Sequence, residues 1–359
     1  MSDIKLSWSS YEGYEGWMHR GTARILVKPS DPPLRKLLGV VTSTEGGCAD
    51  AYNGYDRAIW SIGHIQLAGS IGLAGALIAS IRNQSPLAYE PLKAWMGEHS
   101  LDFGPGGQLL SQGKPVPSGS MARVLYGCSA QIGSYTPENK EQAASFARAV
   151  IECLRGPEAP EIAEQHVMAR LLTFASAFAV QLLGLRRESL ATSGWLGAAQ
   201  AAFLSFSANN TEIADAQLRE VVKRVGSFDP NKKEHVHEML RQLTYGPFIA
   251  IYPERYNAIR PKLESFYGVD LPDTGAQLDA WVRAGNPTGV YIGSKEIQQM
   301  LIQLGYDLGP AGADGVMGSK TKEAVRQFQR TQQGLVADGM PGSKTVKALV
   351  QAIEAKGTA

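Results

Sequence analysis

The stretch TSTEGGCADAYNGYDRAIWSIGHIQ, residues 42–66, places Glu45 where an apolar segment gives way to Gly46-Gly47. Asp50 and Asp56 follow, and then an alternating run of aromatic and β-branched residues. A carboxyl sheltered by apolar surroundings is held protonated at neutral pH, so it can donate to a leaving oxygen. A second carboxylate nearby can activate water or stabilise positive charge. Glu45 as general acid, facing a hairpin that carries Asp56 and Ser61 to stabilise the oxocarbenium-like centre or activate water, therefore forms a candidate set for cutting glycosidic bonds. Asp50 competes with Asp56 for the second role. Tyr52, Asn53 and Tyr55 lie between the carboxylates and are candidates for contacts to sugar rings and N-acetyl groups. Asn209, at the polar end of the apolar run AFLSFSANN, is a further candidate for lining a saccharide cleft, although an asparagine there also serves as a helix cap.

Other chemistries have weaker support. His235 and His237 in KEHVHEM stand two apart, unlike the four-residue spacing of a helical zinc pair, and read as an ordinary exposed helix face. No metal or other cofactor is expected. Cys48, Cys128 and Cys153 are an odd set at spacings that suit neither a disulfide framework nor a zinc site. His64 reads as a buried structural histidine near the hairpin.

The elements that must position these groups are mostly helical. Leu34, Leu37, Leu38 and Val41 recur at helical spacing behind Pro32-Pro33 and lead into Glu45. Asn53-Gly54 and the alternation from Asp56 to Gln66 predict a short hairpin. The Gly/Ala-rich run 67–81 predicts a core helix, and further helices are expected at about 88–98, 137–155, 158–187, 195–206, 211–225, 233–244 and 253–267. The Gly/Pro/Ser-rich segment 102–120 reads as a loop long enough to serve a function of its own.

Across all 359 residues, 44% are hydrophobic and 19% charged, enough to bury a sizeable core. The net charge of +1 provides no strong field for nucleic acid or a membrane surface. The N-terminus shows no basic end followed by an apolar stretch, so no secretory signal is visible. The run ARLLTFASAFAVQLLGL, 169–185, is marginal in length for a bilayer and reads as a buried helix, with no membrane insertion expected.

The chain ends in an internal repeat. ADGVMGSKTKEAVRQF from Ala313 and ADGMPGSKTVKALVQA from Ala337 recur with a period of 24 residues. Asp314-Gly315 and Asp338-Gly339 predict tight turns, and Ser319 and Ser343 plausible helix caps. With Leu304-Gly305-Tyr306, Phe328-Gln329 and Gly334-Leu335, residues 297–350 resemble the common bacterial peptidoglycan-binding domain, which implies bacterial peptidoglycan as the partner. Upstream, helix–Glu45–Gly-Gly, then Asp56, Ser61, Gly63 and Ile65-Gln66, resembles the lysozyme superfamily of phage-type enzymes and related chitosanases. Gly63-x-x-Gln66 also resembles an element of goose-type lysozymes and lytic transglycosylases. The resemblance implies a mainly α, lysozyme-like domain with a small β-hairpin, and a muramidase or endolysin-like activity with Glu45 as acid and Asp56, Ser61 and Gln66 around it. Ser61 stands where the phage enzymes carry Thr.

The expected organisation is a catalytic domain at 1–270, a linker at 271–289 and a three-helix wall-binding domain at 290–359. The alternatives are a lytic transglycosylase and a non-catalytic wall-binding structural protein. Such a chain, made in the cytoplasm, would reach the wall as a phage endolysin, as a toxin delivered by an injection machine, or after lysis.

Overall fold

A computed structural model describes residues 4–11, 13–44, 47–177, 190–207, 211–245, 253–272, 294–310, 312–314, 317–339, 341, 345, 348–349 and 352–353. Glu45, Asn209 and most of the expected linker lie outside the described residues. The chain is mainly helical with small sheets, and it divides into two compact units, Met1–Thr173 and Phe174–Ala359. That division falls well before the linker expected at 271–289.

The first unit opens with a hairpin absent from the sequence-based expectations. Strands β1 (Ser7–Tyr11) and β2 (Tyr14–His19) pair antiparallel with Tyr11 opposite Tyr14. Gly13 takes the positive φ that a two-residue connection needs. β2 continues the sheet to β3 (Tyr52–Asn53), β4 (Ser61–Ile62) and β5 (Leu67–Ala68), all antiparallel. The expected hairpin is thus the inner part of a five-stranded sheet.

Helix α1 (Pro33–Val41) begins at the predicted prolines and buries Leu37, Leu38, Val40 and Val41. Beyond Val41 the Ser43 and Thr44 hydroxyls donate back to the Val40 and Val41 carbonyls at 2.7 and 2.9 Å, satisfying the last turn. Helices α2 (Leu73–Gln84), α3 (Pro86–Glu98), α4 (Met121–Tyr126), α5 (Pro137–Arg155) and the first part of α6 (Ala159–Ala177) complete the unit. Phe146 on α5 is the hub of an aromatic core, with the rings of Trp60, Trp95 and Tyr52 at 5.4, 4.9 and 6.3 Å.

The segment expected as a long loop instead forms a second sheet: β6 (Leu101–Phe103), β7 (Leu109–Ser111) and β8 (Lys114–Pro115). Its glycines make turns. Gly107 stands at φ +83° against α2, where the carbonyl oxygen of Gly107 lies 1.8 Å from the position a Cβ on Gly75 would take. Backbone meets backbone there.

In the second unit, α7 (Gly194–Ser207), α8 (Thr211–Val225), α9 (Lys233–Tyr245) and α10 (Pro253–Tyr267) pack on one another. His237 is buried on α9, edge-on to Trp195 at 5.2 Å, and burial lowers its pKa to about 4. This corrects the expected exposed face. Lys233–Tyr245 carries a strongly one-sided apolar pattern through Val236, Leu240 and Leu243, and position 237 falls on the buried side.

Gly75→Ala gains helix propensity but forces α2 away from the Gly107 turn, and overpacking of this kind costs about 1–3 kcal/mol. Denaturant unfolding should show a lowered midpoint; an unchanged or raised midpoint would contradict the close approach.

Candidate functional site

The carboxylates of the sequence-based set have different surroundings. Asp50 is fully buried. It accepts hydrogen bonds from the backbone N–H of Thr22 and Ala23 at 2.7 and 2.9 Å, from the Thr22 hydroxyl at 3.0 Å and from Arg155 Nε at 2.7 Å. Arg155 also donates to His19 Nε2 at 2.9 Å, and His19 Nδ1 lies 2.9 Å from the Lys5 carbonyl. Burial alone would raise the Asp50 pKa, but the bonds from Ala23, Arg155 and Thr22 outweigh it and hold the carboxyl well below the usual range. Gly21, at φ +79°, lets that backbone close on Asp50: a Cβ there would lie 2.4 Å from the Cys48 Cβ and 2.7 Å from Asp50 Oδ1. Asp50 is an anchor whose oxygens are spent inside the protein.

Asp56 sits differently, half-buried in the loop between β3 and β4. Its Oδ1 accepts from Ala58 N–H at 2.8 Å and its Oδ2 from Asn53 Nδ2 at 3.1 Å, while Asn53 Oδ1 accepts from Tyr55 N–H at 3.0 Å. Burial pushes the Asp56 pKa up, against the pull of the Ala58 bond. A carboxyl raised in this way is suited to holding or moving a proton. Ser61 is buried on β4 directly opposite Asn53. The fold therefore gathers Asn53, Asp56 and Ser61, with Tyr55 beside them. Tyr52 belongs elsewhere: it is buried, and its hydroxyl lies 3.0 Å from that of Tyr126, which donates to the Ile59 carbonyl at 2.8 Å. Burial raises its phenol far above the usual value.

The β4–β5 connection adds a feature that the sequence left open. His64 is buried, as expected, with Nδ1 3.4 Å from the Gly47 carbonyl. Burial lowers its pKa to about 4. With Nδ1–H donating, Nε2 is an acceptor, and it is buried without a partner among the described residues. Gln66 Oε1 and Trp60 Nε1 are in the same state. Buried polar atoms are nearly always paired, so three unspent ones within seven residues mark this hairpin as a place where something else can bond.

Cys48, Cys128 and Cys153 are buried thiols without disulfides. Burial raises the thiol pKa of Cys48, and that of Cys153 to about 12, which removes the thiolate character a nucleophile needs at those two positions. Among the described residues no group of three or more His, Cys, Asp or Glu is placed to hold a metal ion. No helix there is long and apolar enough to cross a membrane.

The C-terminal repeat has its own polar geometry. Helices α11 (Ser294–Gln303) and α12 (Ser319–Thr331) share a core of Ile297, Leu301, Leu308, Met317, Val325, Phe328 and Leu349. Gln298 Nε2 donates to Asp314 Oδ1 at 2.8 Å and to the Thr321 hydroxyl at 3.0 Å. Gln329 Nε2 makes the same pair of bonds to Asp338 and Thr345 at 2.9 and 3.1 Å, and its Oε1 accepts from Gly339 N–H at 2.8 Å. The repeated Asp and Thr are thus two ends of a glutamine clamp. Ser319 does not cap: Gly318 is the N-cap of α12, with no side-chain bond to the helix end.

Comparison with known proteins supports this module. Residues 293–349 match the family described as "Putative peptidoglycan binding domain". A relative, a type VI secretion system spike protein VgrG3 of Vibrio cholerae serotype O1, is 47% identical over 70 residues, covering 16% of this chain and 7% of the relative. The chain thus spans only a small part of that relative's length. No solved structure matches the chain.

Asp50→Asn leaves Arg155 without its counter-charge, and breaking a buried pair costs about 3–5 kcal/mol. Chemical unfolding at neutral pH should show that loss, and a change near zero would contradict the anchor. His64 gives a pH signature. Its folded pKa of about 4 lies below the ordinary 6.5, so its stabilisation is complete above pH 6.5 and is lost as the pH falls towards 4. Wild type should lose more stability than His64→Gln between pH 7 and 4.5; equal losses would show that the ring is not held neutral. The matched family identifies residues 293–349 as a peptidoglycan-binding domain, whose repeated geometry the two glutamine clamps hold.

Proposed function

We propose that the chain is a peptidoglycan-directed glycosidase of the muramidase type, held on the wall by residues 293–349. The observation that carries the reading is the pairing of that wall-binding domain with an unspent polar hairpin tied to Gly47, two residues after Glu45. In this scheme Glu45 protonates the glycosidic oxygen as the bond to the anomeric carbon breaks. Asp56 stabilises the oxocarbenium-like centre or takes the proton of the attacking water, and Ser61 orients that water. Asn53, Tyr55 and Gln66, all partly exposed, are the substrate contacts that remain once the fully buried Asp50 and Tyr52 are set aside. Asn209, outside the described residues, is a candidate contact from the sequence alone. A second carboxylate on the hairpin, Asp56, favours hydrolysis over the transglycosylase alternative, which needs no activated water.

The similarity to a secretion-system spike protein gives the delivery question a direction. A chain with a wall-binding domain is suited to be carried to the periplasm or cell exterior by such a device. The same similarity favours one competing reading, a non-catalytic structural component that grips the wall while another protein cuts.

Glu45→Gln keeps shape but removes the transferable proton, so release of reducing sugar from purified sacculi should fall about 10²-fold or more. Near-normal release would rule out the acid. Removing residues 290–359 should lower wall binding while leaving cleavage of short soluble glycan fragments largely intact. Loss of both would mean that the catalytic part depends on the C-terminal residues.

A further inference from the structure

Beside the loop that carries Asp56 lies a cleft of about 400 Å³ lined in part by Tyr14, Arg57, Ile59, Ile71, Arg123 and Gln131. All of it belongs to the first unit. Arg57 and Arg123 are exposed, and neither makes an ion pair with a described residue. Among the described residues no carboxylate side chain lines the cleft. Two exposed guanidinium groups lining one cavity, neither ion-paired among the described residues, can both be engaged by an anionic ligand.

The walls are held in place. Ile59 has a φ of +67°, a strained value for a β-branched residue. It is fixed there by its N–H donating to the Asp56 carbonyl at 3.0 Å and by its carbonyl accepting from Tyr126 at 2.8 Å. The Ser70 N–H donates to the Ala58 carbonyl at 2.9 Å, and Tyr14 pairs with Gln131 through an isolated antiparallel bridge. Ile71, 71% exposed, adds an apolar surface.

We propose that this cleft binds a short acidic peptide, its carboxylates taken by Arg57 and Arg123 and its small alkyl side chains by Ile59 and Ile71. The proposal rests on the wall-directed reading above, in which peptide stems hang from the glycan next to the cleaved bond. The cleft would then seat a stem while Asp56 faces the sugar. The mixed apolar and cationic lining fits a peptide better than bare phosphate, whose demands are met by charge and hydroxyls alone.

The test is equilibrium binding to the full-length protein by calorimetry, which requires no cleavage. Three probes are compared: a synthetic alanine-rich peptide with two free carboxylates, the same peptide with both carboxylates amidated, and inorganic phosphate. Wild type should bind the free-carboxylate peptide roughly ten-fold more tightly than the amidated one, an advantage that shrinks with added salt. Arg57→Gln with Arg123→Gln should abolish that advantage without moving the unfolding midpoint, and lysine at both positions should restore most of it. Equal binding of the two peptides overturns the proposal, as does an advantage that survives the double glutamine variant. Displacement of the peptide by equimolar phosphate also overturns it, because the cleft would then be a simple anion site. Sugar release by the unsubstituted protein is measured separately, so loss of the glycosidase reading leaves this result interpretable.

Discussion

The first unit depends on the placement of one buried negative charge. Asp50 collects Thr22, Ala23 and Arg155 around two oxygens, and Arg155 carries the network on to His19. These partners come from β2, from the segment after it and from the end of α5, so one carboxylate fixes three parts of the chain against each other. Position 50 lies two residues before β3. The register of Tyr52 and Asn53, and through it the loop of Asp56 and the strand of Ser61, is therefore set from a point that cannot shift without uncovering a charge. A candidate site on strands of two residues requires such an anchor, because strands this short have little ladder of their own to hold them.

The C-terminal domain applies the same principle with neutral groups. Each glutamine clamp joins a helix to the turn and helix start of the next element, so the small core of Phe328, Leu301 and Leu349 does not have to define the geometry alone. Buried amides of this kind are worth little net free energy when satisfied and cost much when broken, which favours a single arrangement over many loosely collapsed ones.

Much of the helical framework was legible in the chain. The helix at Pro137–Arg155 starts behind Thr136, whose hydroxyl accepts from Asn139 N–H at 3.3 Å, a local cap that sequence reading detects. The strands were hidden because two or three residues offer no periodicity. The glycines and prolines of 102–120 look the same in a loop as in the turns of a small sheet. The hairpin at 7–19 carried a readable signal in Trp8, Tyr11, Tyr14 and Trp17 around Gly13. The role of Asp50 was invisible for a different reason: Arg155 is 105 residues away and Thr22 is 28. The clamps escaped notice because Gln298 precedes its aspartate by 16 residues and Gln329 by 9, so the glutamines do not follow the period of the repeat.

The central claim, that this protein opens the glycan strand itself, is tested most directly by mass spectrometry of what it releases from purified sacculi. The expected products are disaccharide–peptide fragments ending in a reducing sugar that takes up two hydrogens on borohydride treatment. Release of fragments with intact glycan and shortened peptides, or protein that sediments with the wall and frees nothing, would contradict it.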